Sequence, residues 1–148
     1  MDREPVFRER QQFRQLWLWG LLGGLAFLMV VLGPEAWAGV IILSAVGGLV
    51  YSLRLETEVR TDGIYVKMWP IHWSFRRIPW SEIERYESTR YRPLREFGGW
   101  GIRWVPGKLA YNVSGNRGVW IERMDGRTIL IGSQRAEEFA RAIDEAVQ

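Results

Sequence analysis

Two kinds of order meet at Leu53. From Leu16 to Leu53 the only ionisable side chain is Glu35, and apolar residues run on without a polar stripe. Beyond that point the period falls to two: Leu53, Leu55, Thr57, Val59 and Thr61 alternate with Arg54, Glu56, Glu58 and Arg60. A segment apolar all round belongs in lipid, whereas strict alternation predicts a strand with one buried face.

Gly33-Pro34-Glu35 divides the apolar stretch into Leu16–Leu32 and Ala36–Leu53. At the helical rise each run reaches about 26 Å, enough to cross a hydrocarbon core. Trp17, Trp19, Trp37 and Tyr51 fall near the ends, where amphipathic rings favour the headgroup region. Gly20, Gly23, Gly24, Gly39, Ala45, Gly47 and Gly48 would let two backbones approach closely, either within a transmembrane hairpin or in contact with a membrane-protein partner or a second copy. Arg3, Arg8, Arg10 and Arg14 precede the first run, Arg54 and Arg60 follow the second, and the turn has no cation. The expectation is a multi-pass protein of the plasma membrane with both termini cytoplasmic and residues 1–15 as a cytoplasmic N-terminal segment. A cleaved secretory signal fits poorly, because a second apolar run follows and no clear small-residue cleavage site is present.

Residues 54–148 read as one β-rich domain. Asp62-Gly63 supplies a tight turn between the first strand and Ile64–Trp69; Ser74–Ile78 and Ile83–Tyr91 are further candidates on either side of Pro79-Trp80-Ser81-Glu82. Trp100–Val105, Leu109–Val113, Gly118–Met124 and Thr128–Ile131 complete the strands, with Pro106-Gly107, Ser114-Gly115-Asn116 and Asp125-Gly126 as turns. Ser133 is placed to cap a helix over 134–147 whose apolar stripe is Ala136, Phe139, Ala140, Ile143 and Val147. The fold class expected is therefore α+β: a helical hairpin, then a bent antiparallel barrel or sandwich capped by an amphipathic C-terminal helix.

Composition removes whole classes of chemistry. With Cys 0 there is no disulfide, thiolate nucleophile or thiolate-bound metal, and His72 alone cannot build a multi-histidine centre. The net charge of +3 is spread along the chain, so no nucleic-acid footprint is drawn. No nucleophile, base and orienting group can be assembled, so neither catalysis nor a cofactor or metal is expected.

Particular runs carry a family likeness. Ile78-Pro79-Trp80-Ser81-Glu82-Ile83, GGWGIR at 98–103, NVSGNRGV at 112–119 and IGSQR at 131–135 resemble bacterial pleckstrin-homology-like domains. Taken with the apolar pair, nearly the whole chain is similar to a family of small prokaryotic membrane proteins joining a two-helix hairpin to such a domain. The resemblance implies a fold and no particular activity.

Candidate ligand-binding residues follow from charge and backbone chemistry. Arg90, Arg92 and Arg95, with Tyr91 and Trp100, form a basic and aromatic stretch that a tethered domain could press onto anionic lipid headgroups. Arg103, Arg117 and Arg135 can grip phosphate or carboxylate with two hydrogen bonds. Asn112 and Asn116 flank a glycine-containing loop that could turn amides towards an anion, although an ordinary hairpin loop is the simpler reading. Gly98-Gly99-Trp100-Gly101 lacks the Lys-Ser/Thr of a phosphate loop and reads as a strand entry. Trp69, Trp73, Trp80, Trp104 and Trp120 could form a binding surface, but most of them are expected to fill the core. The functional expectation is a membrane-anchored binding or scaffolding module for a protein, peptide or anionic lipid. The alternatives are a structural or assembly subunit of a larger membrane complex and an enzyme acting on lipid or phosphate substrates.

Overall fold

A computed structural model describes residues 4–148, which leaves Arg3 of the flanking cations outside the described residues. The chain opens on a strand, β1 (Phe7–Gln12), where the sequence predicts only a cytoplasmic segment. It pairs antiparallel with β2 (Arg54–Arg60), from Phe7 opposite Val59 to Gln12 opposite Arg54. The regular structure between those strands is helical: α1 (Leu16–Leu32), a 3-10 turn at Pro34–Ala36 and α2 (Trp37–Ser52). The apolar pair is thus inserted at the open end of a two-stranded ribbon belonging to the β domain.

The two helices run side by side in opposite directions. Met29 sits against Gly39, Leu22 and Trp19 sit against Gly47, and the Trp19 and Tyr51 rings meet edge to face at 6.0 Å. Gly33 at φ 101° lets the chain leave α1, and Pro34 starts the next turn. Neither helix has a buried residue. Gly20, Gly23, Gly24 and Gly48 have nothing within 4 Å of where a Cβ would stand, so only two of the six predicted glycines serve the contact. Among the described residues one helix, Pro34–Ser52 with 19 residues, is long and apolar enough to cross a membrane; Leu16–Leu32 is shorter.

The β domain has a four-stranded sheet of order β1-β2-β3-β4, with β3 (Gly63–Trp69) and β4 (Arg76–Pro79), and a five-stranded sheet. The second sheet runs β5-β8-β9-β7-β6, with β5 (Ile83–Arg90), β6 (Gly101–Val105), β7 (Lys108–Asn112), β8 (Arg117–Arg123) and β9 (Thr128–Gly132). The sheet is not wholly antiparallel as predicted, because β9 lies parallel to β7 and separates it from β8. The loop 113–116 is therefore a connection passing over one strand, and the hairpin reading of it is corrected. Ile129, Leu130 and Ile131 are all buried, so β9 needs cover on both faces and takes the centre of the sheet.

One core fills the space between the sheets, with Leu55, Ile64, Met68, Val119, Ile121 and Ile131 fully buried. A second cluster, Tyr91, Phe97, Ala110 and Leu130, lies apart from it. The amphipathic stripe predicted near the C-terminus is borne out in α4 (Ala136–Val147), whose Ala136, Phe139, Ala142 and Ile143 are buried against β1, β2, β5 and β8. Ala142 replaces Ala140 and Val147 on that stripe, since Ala140 is half-buried and Val147 is exposed.

Candidate functional site

The edges of the two sheets are treated unequally. On the β1 side, Phe139 of α4 stacks on Phe7 at 5.3 Å, and the buried Glu9 accepts hydrogen bonds from the Ser133 hydroxyl at 2.5 Å and the Gln134 amide at 3.0 Å. Ser133 also accepts the Arg135 amide, but the helix starts at Ala136 with Arg135 at its N-cap and no side-chain cap bond, so the expected capping by Ser133 is corrected. The serine lies two residues before the cap and ties the approach to α4 to a carboxylate of β1. Tyr86 of β5 donates to Asp144 of α4 at 2.5 Å, a bond that pushes the phenol up to about 12.

The other side is open. β4 ends one sheet and β6 ends the other, and a cleft of about 930 Å³ lies between the β3–β4 connection and the β6–β7 hairpin. Its floor is apolar, with Tyr111 and Ile129 buried and Ile102 and Leu109 half-buried. Its rim carries Arg76, Lys108, Arg123 and Arg127, and no carboxylate is among its described lining residues. Arg123 is held by Glu82, and Arg127 lies 3.8 Å from Asp125, so Arg76 and Lys108 supply the cationic surplus. His72 presents its ring to Tyr111 at 5.9 Å; burial first, and the Arg76 charge second, hold its pKa below the usual imidazole value. Trp104 stands at the mouth with 87% of its surface exposed.

The residues singled out from sequence are scattered over other places. Arg90 and Arg117 face each other across β5 and β8, and with Arg135 they border a hollow of about 340 Å³ that Glu137 and Glu138 also line. Arg135 is already engaged: it bonds Glu138 at 2.9 Å and the Arg8 carbonyl at 2.6 Å, and covers the Phe7 ring at 4.7 Å. Arg92 and Arg95 are exposed at α3 (Pro93–Phe97), where Phe97 is buried and the expected basic and aromatic stretch becomes a short helix. Tyr91 is buried rather than presented to lipid, with its phenol raised chiefly by that burial.

Asn112 is fully buried and makes a structural joint, accepting the Gly101 amide at 3.0 Å and donating to the Tyr91 hydroxyl at 2.9 Å. Asn116 receives the Tyr91 amide on its carbonyl, and only Gly115 in that loop has a positive φ, so the proposed anion nest is not formed there by asparagine. Trp100 donates its indole N–H to the Gly115 carbonyl and lies 6.5 Å from the Trp17 ring of α1, while its own carbonyl accepts Arg103 Nε at 2.9 Å.

The tryptophan expectation holds only in part: half-buried Trp80 and Trp120 pack against the two core clusters, Trp69 is half-buried, and Trp73 and Trp104 are exposed. The residues missed were Ile71, His72, Arg76 and Lys108, whose signal was an aromatic and a basic residue beside each of two turns. Among the described residues no group of three or more His, Asp or Glu side chains could hold a metal ion. Comparison with protein-family models, curated proteins and solved structures returns no match.

Proposed function

We propose that this chain is a membrane-anchored binding module. In this reading α1 and α2 cross the bilayer together, the β domain rests on the cytoplasmic face, and the cleft between the β3–β4 connection and the β6–β7 hairpin takes an extended acidic segment of a membrane-protein partner. The absence of buried residues in either helix supports lipid as their surroundings. Arg14 and Arg54 next to the helix ends, with no cation in the distal turn, support both termini facing the cytoplasm. Two sheets closed by a C-terminal helix support the pleckstrin-homology-like assignment, with the parallel β7–β9 pair as this chain's departure.

The cleft carries the binding reading. A strand edge offers unpaired amides and carbonyls, an apolar floor takes alternate side chains, and Arg76 and Lys108 at the rim favour carboxylates among the rest. The test is site-specific photocrosslinking in membranes containing the full chain, with a photoreactive residue at Trp104 or, on the sealed side, at Asp144. The expected result is an adduct with an acidic stretch of a membrane protein from position 104 alone, lost when Arg76→Glu and Lys108→Glu are added. Equal adducts from both positions, or adducts with lipid only, would remove the reading.

A further inference from the structure

The connection between β3 and β4 has an exposed apolar tip that the cleft explains only in part, since Ile71 lines it and Trp73 does not. Trp69, at its base, lies directly opposite Arg54, and Arg54 follows the end of α2 by two residues. The connection therefore leaves the sheet at the end from which the helix pair emerges. At its tip Trp73 is 83% exposed and Ile71 is 55% exposed, while the Trp69 ring supports Trp73 edge to face at 5.2 Å. On the other flank of the helix pair, Trp100 lies against Trp17 of α1.

The geometry points to a second membrane contact: the Ile71–Trp73 tip sits in the headgroup layer of the leaflet through which α2 leaves. This rests on the reading that the helices span a bilayer. An exposed indole beside an exposed isoleucine is costly in water and favourable at the interface, where the ring finds apolar chains and its N–H finds phosphate or water. Arg54, directly opposite Trp69, brings a cation to the same level, where anionic headgroups would meet it, while Arg76 stands opposite Val66, three residues further along β3. With Trp17 and Trp100 on one flank and Trp73 on the other, the domain is held at two points and cannot swing freely about the helices. Because Ile71 and His72 also line the cleft, its mouth opens beside the lipid surface, within reach of a partner emerging from the membrane.

The chain has no native cysteine, so single spin labels report each place without background. Labels are placed at Ser74→Cys beside the tip, at Val46→Cys on α2, and at Thr61→Cys, the residue after β2, whose far end lies about 20 Å from Arg54 at the usual strand rise. The full chain is reconstituted in nanodiscs of phosphatidylcholine and phosphatidylglycerol, and collisions with oxygen and with a water-soluble nickel complex are compared. Positions 46 and 74 should both be shielded from nickel several-fold relative to 61, and adding Ile71→Ser and Trp73→Ser should return 74 to the value at 61. If 46 is shielded and 74 is as open as 61, the contact is wrong and the anchor stands. If 46 is itself open to nickel, the spanning reading fails along with it.

Discussion

The two flanks of the β domain meet the same physical problem, an unpaired sheet edge, and solve it in opposite ways. Beside β1 the edge is sealed: α4 packs Phe139 on Phe7, and the buried Glu9 satisfies Ser133 and Gln134 from across the chain. Beside β4 and β6 no comparable seal is found among the described residues; an apolar floor is left under a cationic rim with Trp104 exposed at its mouth. An edge of one kind is sealed in one place and left open in another, which separates residues that hold the fold from residues free to meet a ligand.

Breaking the sealed side should give the largest effects. Phe139 is fully buried, so Phe139→Ala should lose about 3–5 kcal/mol, through lost burial and the cavity left behind. Denaturant unfolding of the domain in detergent, followed by tryptophan fluorescence, measures it. Glu9→Ala should cost less, about 1–3 kcal/mol, since the Ser133 hydroxyl and the Gln134 amide lose a buried acceptor. A loss under about 0.5 kcal/mol, the range of ordinary surface changes, would mean that the Glu9 bonds add nothing to the packing of α4.

How much of this the sequence revealed depended on whether each residue's role was local. The β2–β3 ribbon was legible because Asp62-Gly63 and the flanking alternation act over neighbouring residues. β1 was not, because its inward positions are Phe7, Glu9 and Gln11, and two of those three are polar for the sake of partners more than a hundred residues away. The central place of β9 was written in the unbroken apolar run Ile129-Leu130-Ile131, yet which strands flank it depends on the whole sheet. Asn112 and Arg135 looked like ligand residues because their chemistry suits anions; burial and existing partners, invisible in one dimension, decide otherwise. Trp104 misled in the opposite direction: a large ring at strand spacing stands at the rim because β6 ends its sheet.

Changing the open side should leave stability alone and move binding. Arg76→Glu with Lys108→Glu should alter unfolding by no more than about 0.5 kcal/mol, because both side chains are exposed. The same pair should weaken a synthetic peptide alternating glutamate and isoleucine by about tenfold or more, and leave its lysine-isoleucine counterpart no weaker. Fluorescence anisotropy with the full chain in nanodiscs reads both. A peptide response equal to that of the sealed-side variants would erase the distinction between the flanks.

The smallest effect belongs to His72, and it joins the two properties with opposite signs. Burial, aided by Arg76, holds its folded pKa below the ordinary imidazole value. As pH falls through about 6.5 the unfolded chain takes up the proton first, so the stability present at higher pH is progressively lost. The thermal midpoint should therefore drop from about pH 7.5 to about pH 5.5 by a little more in the natural chain than in His72→Gln, the difference cancelling what carboxylates contribute to both. Protonation in the folded state adds a cation to a cleft that already favours carboxylates, so the glutamate peptide should lose less affinity over that range in the natural chain than in His72→Gln. A group acting only through the fold would move stability and binding in the same direction; opposite movement would place His72 in the cleft's chemistry as well as in its wall.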